Sequence, residues 1–423
     1  MKESKKSDNS ILCIADQNLS VSTTSFGLYF RVGSLYESEI NCGITHLTEH
    51  LFFRRLNGLS NKDLYYLMES IGGAIRGYTT AQYVCFELTV LSEFARSAFE
   101  LMNEFLKSFN WSDEEVEAEK RIILNEIAQI GNNTDCLSAA QMGNDSFLLP
   151  VKGTPDSLKR ITAKDVNEWK NKFFNCGNCC FAVTGNISDS DLSDIYSSLE
   201  EHKSNVNLPQ INLIPPTAYN RSLDDLIFCG GDENYADVFI CFDVDFSLVD
   251  WTNVMIMFDA FCNGDGSKLS FAMKDERGMV YEIDSKVKEY GTYGNLTISW
   301  SIQDERLIES LKLFFDLLKE FKSGITEEEF KSSIVFSTLN MRKYYDNPSD
   351  LNNMYGYYDF IAGLPFSVED SVNKFNTITK ELINSASQTI FRSENMFIEI
   401  DFNKEHISDE YLKKMICLFA SDL

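Results

Sequence analysis

Histidine is scarce in this chain: four in 423 residues. Cations are scarce too, with 38 Lys and Arg against 64 Asp and Glu and a formal net charge of −26. That imbalance argues against nucleic acid as a partner, because phosphate binding needs basic patches. It either steers cationic substrates toward the protein or serves solubility alone. No stretch approaches the roughly 20 apolar residues of a membrane span, so no membrane partner is expected. The start, Met1-Lys2-Glu3-Ser4-Lys5-Lys6-Ser7, lacks the apolar core of a secretory signal. The eleven cysteines have no framework spacing, and reduced thiols in a cytoplasm are the simplest reading. Cys176-Gly177-Asn178-Cys179 is a single C-x-x-C without the second pair that a structural metal site requires. Gly264-Asp265-Gly266-Ser267-Lys268 lacks the spacing of a phosphate loop.

Against that poverty, two histidines stand four apart in His46-Leu47-Thr48-Glu49-His50. A helix of about 3.6 residues per turn puts His46 and His50 on one face. Two neutral imidazoles there can grip one Zn²⁺ at about 2.0–2.1 Å each. Glu49, on nearly the same face, can take a proton from a metal-bound water without being a ligand. This is the H-x-x-E-H arrangement of the inverzincins. A catalytic zinc needs a third protein ligand. Glu119 and Glu126 lie two helical turns apart and share a face, beside an apolar side marked by Ile122, Ile123 and Ile127. Carboxylates turned toward a packed side need a cation there.

HLTEH followed by Glu126 resembles the pitrilysin/insulinase family, which includes the mitochondrial processing peptidase. The likeness extends over Gly43-Ile44-Thr45-His46-Leu47-Thr48-Glu49-His50-Leu51-Phe52-Phe53, Met68-Glu69-Ser70-Ile71-Gly72-Gly73 and Gly153-Thr154-Pro155. It implies that His46, His50 and Glu126 ligate zinc, that Glu49 is the general base, and that Glu119 orients a ligand from behind. Lys274-Asp275-Glu276-Arg277-Gly278-Met279-Val280-Tyr281 resembles the family block whose arginine and tyrosine bind the scissile carbonyl. Tyr281 fits the tyrosine, and Lys274 stands where arginine is usual, without its planar fork. Arg76-Gly77 replaces the family's usual Asn-Ala on the strand whose edge pairs with bound peptide.

The chain also reads as one module used twice. Phe86-Glu87-Leu88-Thr89-Val90-Leu91 alternates like a strand. A helix striped by Phe94, Ala98, Leu101, Met102 and Phe105 follows, then the helix start Ser112-Asp113-Glu114-Glu115. Leu296-Thr297-Ile298-Ser299-Trp300, a stripe from Leu307 to Phe321, and Thr326-Glu327-Glu328-Glu329 repeat that order. The expectation is α+β: two duplicated modules, each an antiparallel-rich sheet with helices packed on one face. The expected divisions are a zinc-binding catalytic domain at 1–204, a proline-stiffened linker at 205–219, and a homologous domain without metal at 220–423.

The expected activity is zinc-dependent endopeptidase cleavage of unfolded peptides. A leader segment of a ribosomally made precursor is one such substrate. The alternative is a non-catalytic structural subunit of a peptidase-like complex. In the family's two-chain members the carbonyl clamp faces the partner's zinc. The weakened Lys274 therefore points to a dimer with a zinc-less homologous chain, while a homodimer stays open.

Overall fold

A computed structural model of the chain describes residues 2–5, 11–130, 149–202, 226–230, 234–290, 292–421 and 423. The chain forms two compact units: Met1–Asn212 with Lys343–Phe366, and Leu213–Arg342 with Ser367–Leu423. The expected linker at 205–219 lies outside the described residues. The second unit begins at Leu213 rather than 220, and Lys343–Phe366 belongs with the first. Among the described residues, no helix is long and apolar enough to cross a membrane.

The first unit is built on a six-stranded sheet. Its strands are β1 (Lys2–Lys5), β2 (Leu12–Gln17), β3 (Thr23–Phe30), β6 (Arg76–Thr79), β7 (Val84–Leu91) and β8 (Cys179–Gly185). They lie in the order β1-β2-β8-β3-β7-β6, while β4 (Arg55–Leu56) and β5 (Leu59–Ser60) form a separate two-stranded hairpin. The second unit has β9 (Ile227–Gly230), β10 (Tyr235–Asp245), β11 (Ile283–Tyr290), β12 (Tyr293–Gln303) and β13 (Met396–Phe402), in the order β11-β12-β10-β13-β9. In the first sheet β2 pairs parallel with β8; in the second β9 pairs parallel with β13; the other neighbours are antiparallel. Leaving out β1, the strand order and its single parallel pair are the same in both units. This is the α+β duplication that the sequence predicts.

The repeated helix starts are also the same device. Ser112 and Glu115 bond each other's backbone N–H ahead of the helix Asp113–Ile130, and Thr326 and Glu329 do so ahead of Glu327–Lys343. Both are capping boxes.

Side chains alternate across each strand, and the two faces of the first sheet meet different elements. Phe26, Leu28 and Phe30 of β3, Val84, Phe86 and Leu88 of β7, and Phe181 and Val183 of β8 join one apolar cluster. That cluster includes residues of α1 (Ile44–Arg54), α2 (Asn61–Ser70), α3 (Ala95–Asn103) and α4 (Asp113–Ile130). The opposite face carries Asp16, Tyr29 and Thr184, and it is covered by the helical turns Pro348–Met354 and Tyr355–Ala362. Asn352 Nδ2 donates to Ser25 O at 3.2 Å and to Ala182 O at 2.9 Å. Thr184 Oγ1 donates to Pro348 O at 2.6 Å, and Tyr355 Oη donates to Asp16 Oδ2 at 2.6 Å. Helices of its own half thus pack on one face, as expected, and a polar clasp from far along the chain closes the other.

Candidate metal centre

The helix α1 that carries the histidines begins at Gly43, whose φ of +89° a residue with a Cβ rarely adopts. Gly43 has no side chain with which to cap the free N–H groups of the first turn. Glu37 does this from six residues upstream. Its Oε2 accepts from Gly43 N at 2.7 Å and its Oε1 from Thr45 N at 2.8 Å. A carboxylate at that end is also favoured by the helix dipole. Burial raises the Glu37 carboxyl to about 7, against the pull of its bonds to Thr45 and Gly43.

His46 and His50 follow one turn apart, as their spacing demands. Their ring centroids lie 4.5 Å apart at 65°. His46 is 9% exposed, and its Nδ1 is buried without a hydrogen-bond partner. Burial, His50 and Lys152 bring its pKa down to about 3, so it is neutral at pH 7. For His50, burial acts downward but is outweighed by the hydrogen bond to Glu119 and the charges of Glu49, Glu119 and Glu126, which raise its pKa.

α4 packs against α1 and supplies the carboxylates. Glu126 Oε2 lies 3.7 Å from His50 Nε2. One ligand atom from each of His46, His50 and Glu126 falls within 4.8 Å of the others. Glu119 Oε2 lies 3.5 Å from His50 Nδ1, and Glu119 Oε1 accepts from Arg54 Nη1 at 2.9 Å. Burial pushes the Glu119 carboxyl up, but its bonds to His50 and Arg54 bring it below the usual range. Glu119 is therefore a carboxylate behind a histidine, the arrangement that fixes an imidazole for metal binding. The donor set of two imidazoles and one carboxylate suits zinc. The unpartnered Nδ1 on a neutral, buried His46 fits the same reading, since such an atom needs a partner.

Glu49 is 6% exposed, and its Oε2 accepts from Thr79 Oγ1 of β6 at 3.2 Å. Burial raises its pKa; His50 and the Thr79 bond oppose that. A Cβ on Gly77 would lie 2.3 Å from Glu49 Oε1. The departure Arg76-Gly77 thus has a local meaning: residue 77 is bare where Glu49 stands.

Of the residues singled out from the sequence, His46, Glu49, His50, Glu119 and Glu126 come together. Lys274 and Tyr281 belong to the second unit. There Lys274 Nζ pairs with Asp265 at 2.8 Å, and Tyr281 is 90% exposed. Ile122, expected on the apolar side of α4, is 47% exposed, while Ile123 is fully buried; the helix turns its packed stripe past residue 122. Cys176, Cys179 and Cys180 are free, buried thiols whose pKa values burial raises, which is packing rather than metal binding.

Sequence reasoning missed Glu37, Arg54 and Lys152. Arg54, one turn after His50, was readable from helical spacing. Glu37 and Lys152 reach the site through loops, where spacing carries no signal. Replacing Glu37 by alanine should destabilise the chain by about 1–2 kcal/mol, as for a lost cap, and weaken zinc uptake. The pH dependence separates this group from a neutral cap. A carboxyl whose folded pKa exceeds its unfolded value binds its proton more tightly when folded. Its contribution to stability is therefore full below about pH 4.5 and lost as pH rises through about 7. Denaturant midpoints measured at pH 5 and pH 8 should fall less between them in Glu37→Gln than in the native chain. Equal falls would contradict this.

Residues 13–154 match the family description Insulinase (Peptidase family M16), and residues 160–334 match Peptidase M16 inactive domain. YmxG of Bacillus subtilis, named an uncharacterized zinc protease, is 23% identical over 397 residues, covering 90% of this chain and 94% of its own. The mitochondrial-processing peptidase subunit beta of Homo sapiens is 25% identical over 221 residues, covering 50% of this chain and 44% of its own. An M16-like peptidase structure from Alicyclobacillus acidocaldarius superposes with a TM-score of 0.81 at 19% identity, over 95% of this chain and 98% of that one. A protease structure from Helicobacter pylori gives 0.79 at 16% identity, over 95% and 99%.

Proposed function

The chain belongs to the insulinase family of peptidases, M16, and from that membership we propose that it is a zinc-dependent endopeptidase acting on unfolded peptides. The observation that carries the reading is the convergence of His46, His50 and Glu126 within 4.8 Å, beside a buried Glu49 on the same helix. Both curated relatives named above are proteases or subunits of one by name, which supports it.

His46, His50 and Glu126 would hold the ion, and Glu119 would fix His50 with Arg54 behind it. Zinc, when bound there, would lower the pKa of a water to near 7 and polarise the scissile carbonyl. Glu49 would take the proton of the attacking water and return it to the leaving amine. Thr79 donates to its Oε2, and the bare backbone at Gly77 lets β6 approach its Oε1 closely, so the carboxyl is held between the two. β6 is the terminal strand of its sheet. A peptide can therefore add along its outer edge by backbone hydrogen bonds, passing beside Thr79 and the base. That mode favours an extended chain, such as a leader segment, over a folded protein. The net charge of −26 would favour a cationic one.

The first test is metal content. The purified chain should carry one removable zinc; His46→Ala or Glu126→Ala should lose it, and Glu49→Gln should keep it. Loss of zinc from Glu49→Gln would overturn the assignment of roles. The second concerns assembly. We propose a dimer with a zinc-less homologous chain, since Lys274 is the weaker form of the clamp. Tyr281→Phe should then leave turnover of the mixed assembly nearly intact. In an assembly of this chain alone it should cost roughly 10²–10³ in kcat, as for other oxyanion donors. Such a loss, with subunit composition determined alongside, would refute the mixed assembly.

A further inference from the structure

Glu126 has two carboxylate oxygens with different neighbours. Oε2 faces His50 Nε2 at 3.7 Å; Oε1 forms an ion pair with Lys152, 3.1 Å from its Nζ. Among the described residues, Lys152 is the cation in contact with the His46, His50 and Glu126 set; Arg54 pairs with Glu119 instead. Resting on the zinc reading above, we propose that Lys152 is a positioning residue of the metal centre. It holds Oε1 of Glu126 so that Oε2 alone remains for the ion, and its charge limits the affinity.

Lys152 is held in place by backbone rather than by a free loop. Gly153, at φ +77°, packs against the start of α1: a Cβ there would lie 2.5 Å from Cys42 O and 2.9 Å from Gly43 Cα. A Cβ on Gly43 would in turn lie 2.7 Å from Lys152 O. Ser157 Oγ donates to Cys42 O at 2.7 Å, fastening the next helix to the same point. The segment carrying Lys152 and the helix carrying the histidines are thus locked together through two glycines. The side chains of Lys152 and Glu126 are 21% and 27% exposed, so their interaction is only partly screened by solvent. The ammonium also reaches His46, whose protonation it disfavours.

Two consequences follow from charge and geometry. A carboxylate with both oxygens free can chelate an ion; one whose Oε1 is engaged by an ammonium presents a single ligand atom. A fixed ammonium also repels a divalent ion in its neighbourhood. The centre therefore keeps its protein ligands at three and holds the ion less tightly than the same ligands would alone. An open position follows, which a hydrolytic centre requires.

The test uses the full-length chain stripped of metal. Zinc is titrated against a chromogenic chelator, and Co²⁺ is then substituted so that the visible absorption reports coordination number. Lys152→Met, which keeps the stem and removes the charge, should bind zinc roughly tenfold more tightly. Its cobalt absorption should weaken as the coordination number rises above four. Lys152→Arg should restore the native affinity and spectrum. Lys152→Met with unchanged or weaker zinc affinity, or with the native cobalt spectrum, would overturn the proposal. A native chain that takes up neither zinc nor cobalt would instead overturn the metallopeptidase reading, and this proposal with it.

Discussion

Glu49→Gln is expected to lower peptide turnover by roughly 10²–10⁴-fold, the range for removal of a positioned base. The substitution keeps the shape of the side chain and an oxygen that can accept from Thr79, whose hydroxyl lies 3.2 Å from Oε2. The zinc should stay, because the ligand set does not include residue 49. Peptide binding should stay too, because strand addition at β6 uses backbone groups. What is lost is the carboxylate's ability to take up a proton. The measurement is kcat and KM in the purified active assembly, with metal content checked in parallel. Turnover equal to that of the native chain would remove Glu49 from the reaction. Loss of turnover together with metal would make it a ligand instead.

The second large effect lies far from the reaction. Gly356 sits against the ring of Tyr29, and a Cβ there would lie 2.3–2.4 Å from three ring carbons. Tyr29 is fully buried, and its hydroxyl lies 2.9 Å from Asn352 Oδ1 and 2.8 Å from Asn353 Oδ1, within donating distance of both. Gly356→Val must push the clasp off the sheet or drive the tyrosine out of place. Overpacking of this kind costs about 1–3 kcal/mol, and each hydrogen bond broken adds about 1 kcal/mol. The expected result is a lower denaturant midpoint, with faster hydrogen exchange at β3 and β8. The strands of the second unit should keep their native protection. A uniform loss of protection in both units would show that the clasp is not the local element described here.

The metal centre was legible to different depths. His46, Glu49 and His50 could be read because a helix converts spacing into a shared face. The phase of Glu119 and Glu126 put both on one face of a second helix, the family resemblance singled out Glu126 as the ligand, and Glu119 proved to stand beside His50. The shared faces rest on periodicity within one element; the roles rest on the resemblance. Glu37 and Lys152 escaped because each acts through space from a loop, where neither distance nor direction follows from sequence separation. Ile122 misled for a smaller reason: neighbouring helix positions lie about 100° apart, and the packed stripe of this helix takes Ile123 and leaves Ile122 47% exposed. The repeated sheet was legible from its alternating strands and its paired capping boxes. The clasp was not. Asn352, Asn353 and Tyr355 look like ordinary polar residues after a helix, and their partners, Ser25, Ala182, Tyr29 and Asp16, lie more than a hundred residues away in every case.

That clasp also sets an order of assembly. Protein chains emerge from the ribosome N-terminus first, and the first sheet cannot be closed on its second face until residues 348–362 have emerged. By then β10, β11 and β12 of the other unit have already been made. The half that carries His46, His50 and Glu126 is therefore begun first and finished late. During that interval Asp16, Tyr29 and Thr184 lack the partners that cover them in the finished fold. A gene cut at the boundary between the two sequence repeats would leave them so permanently.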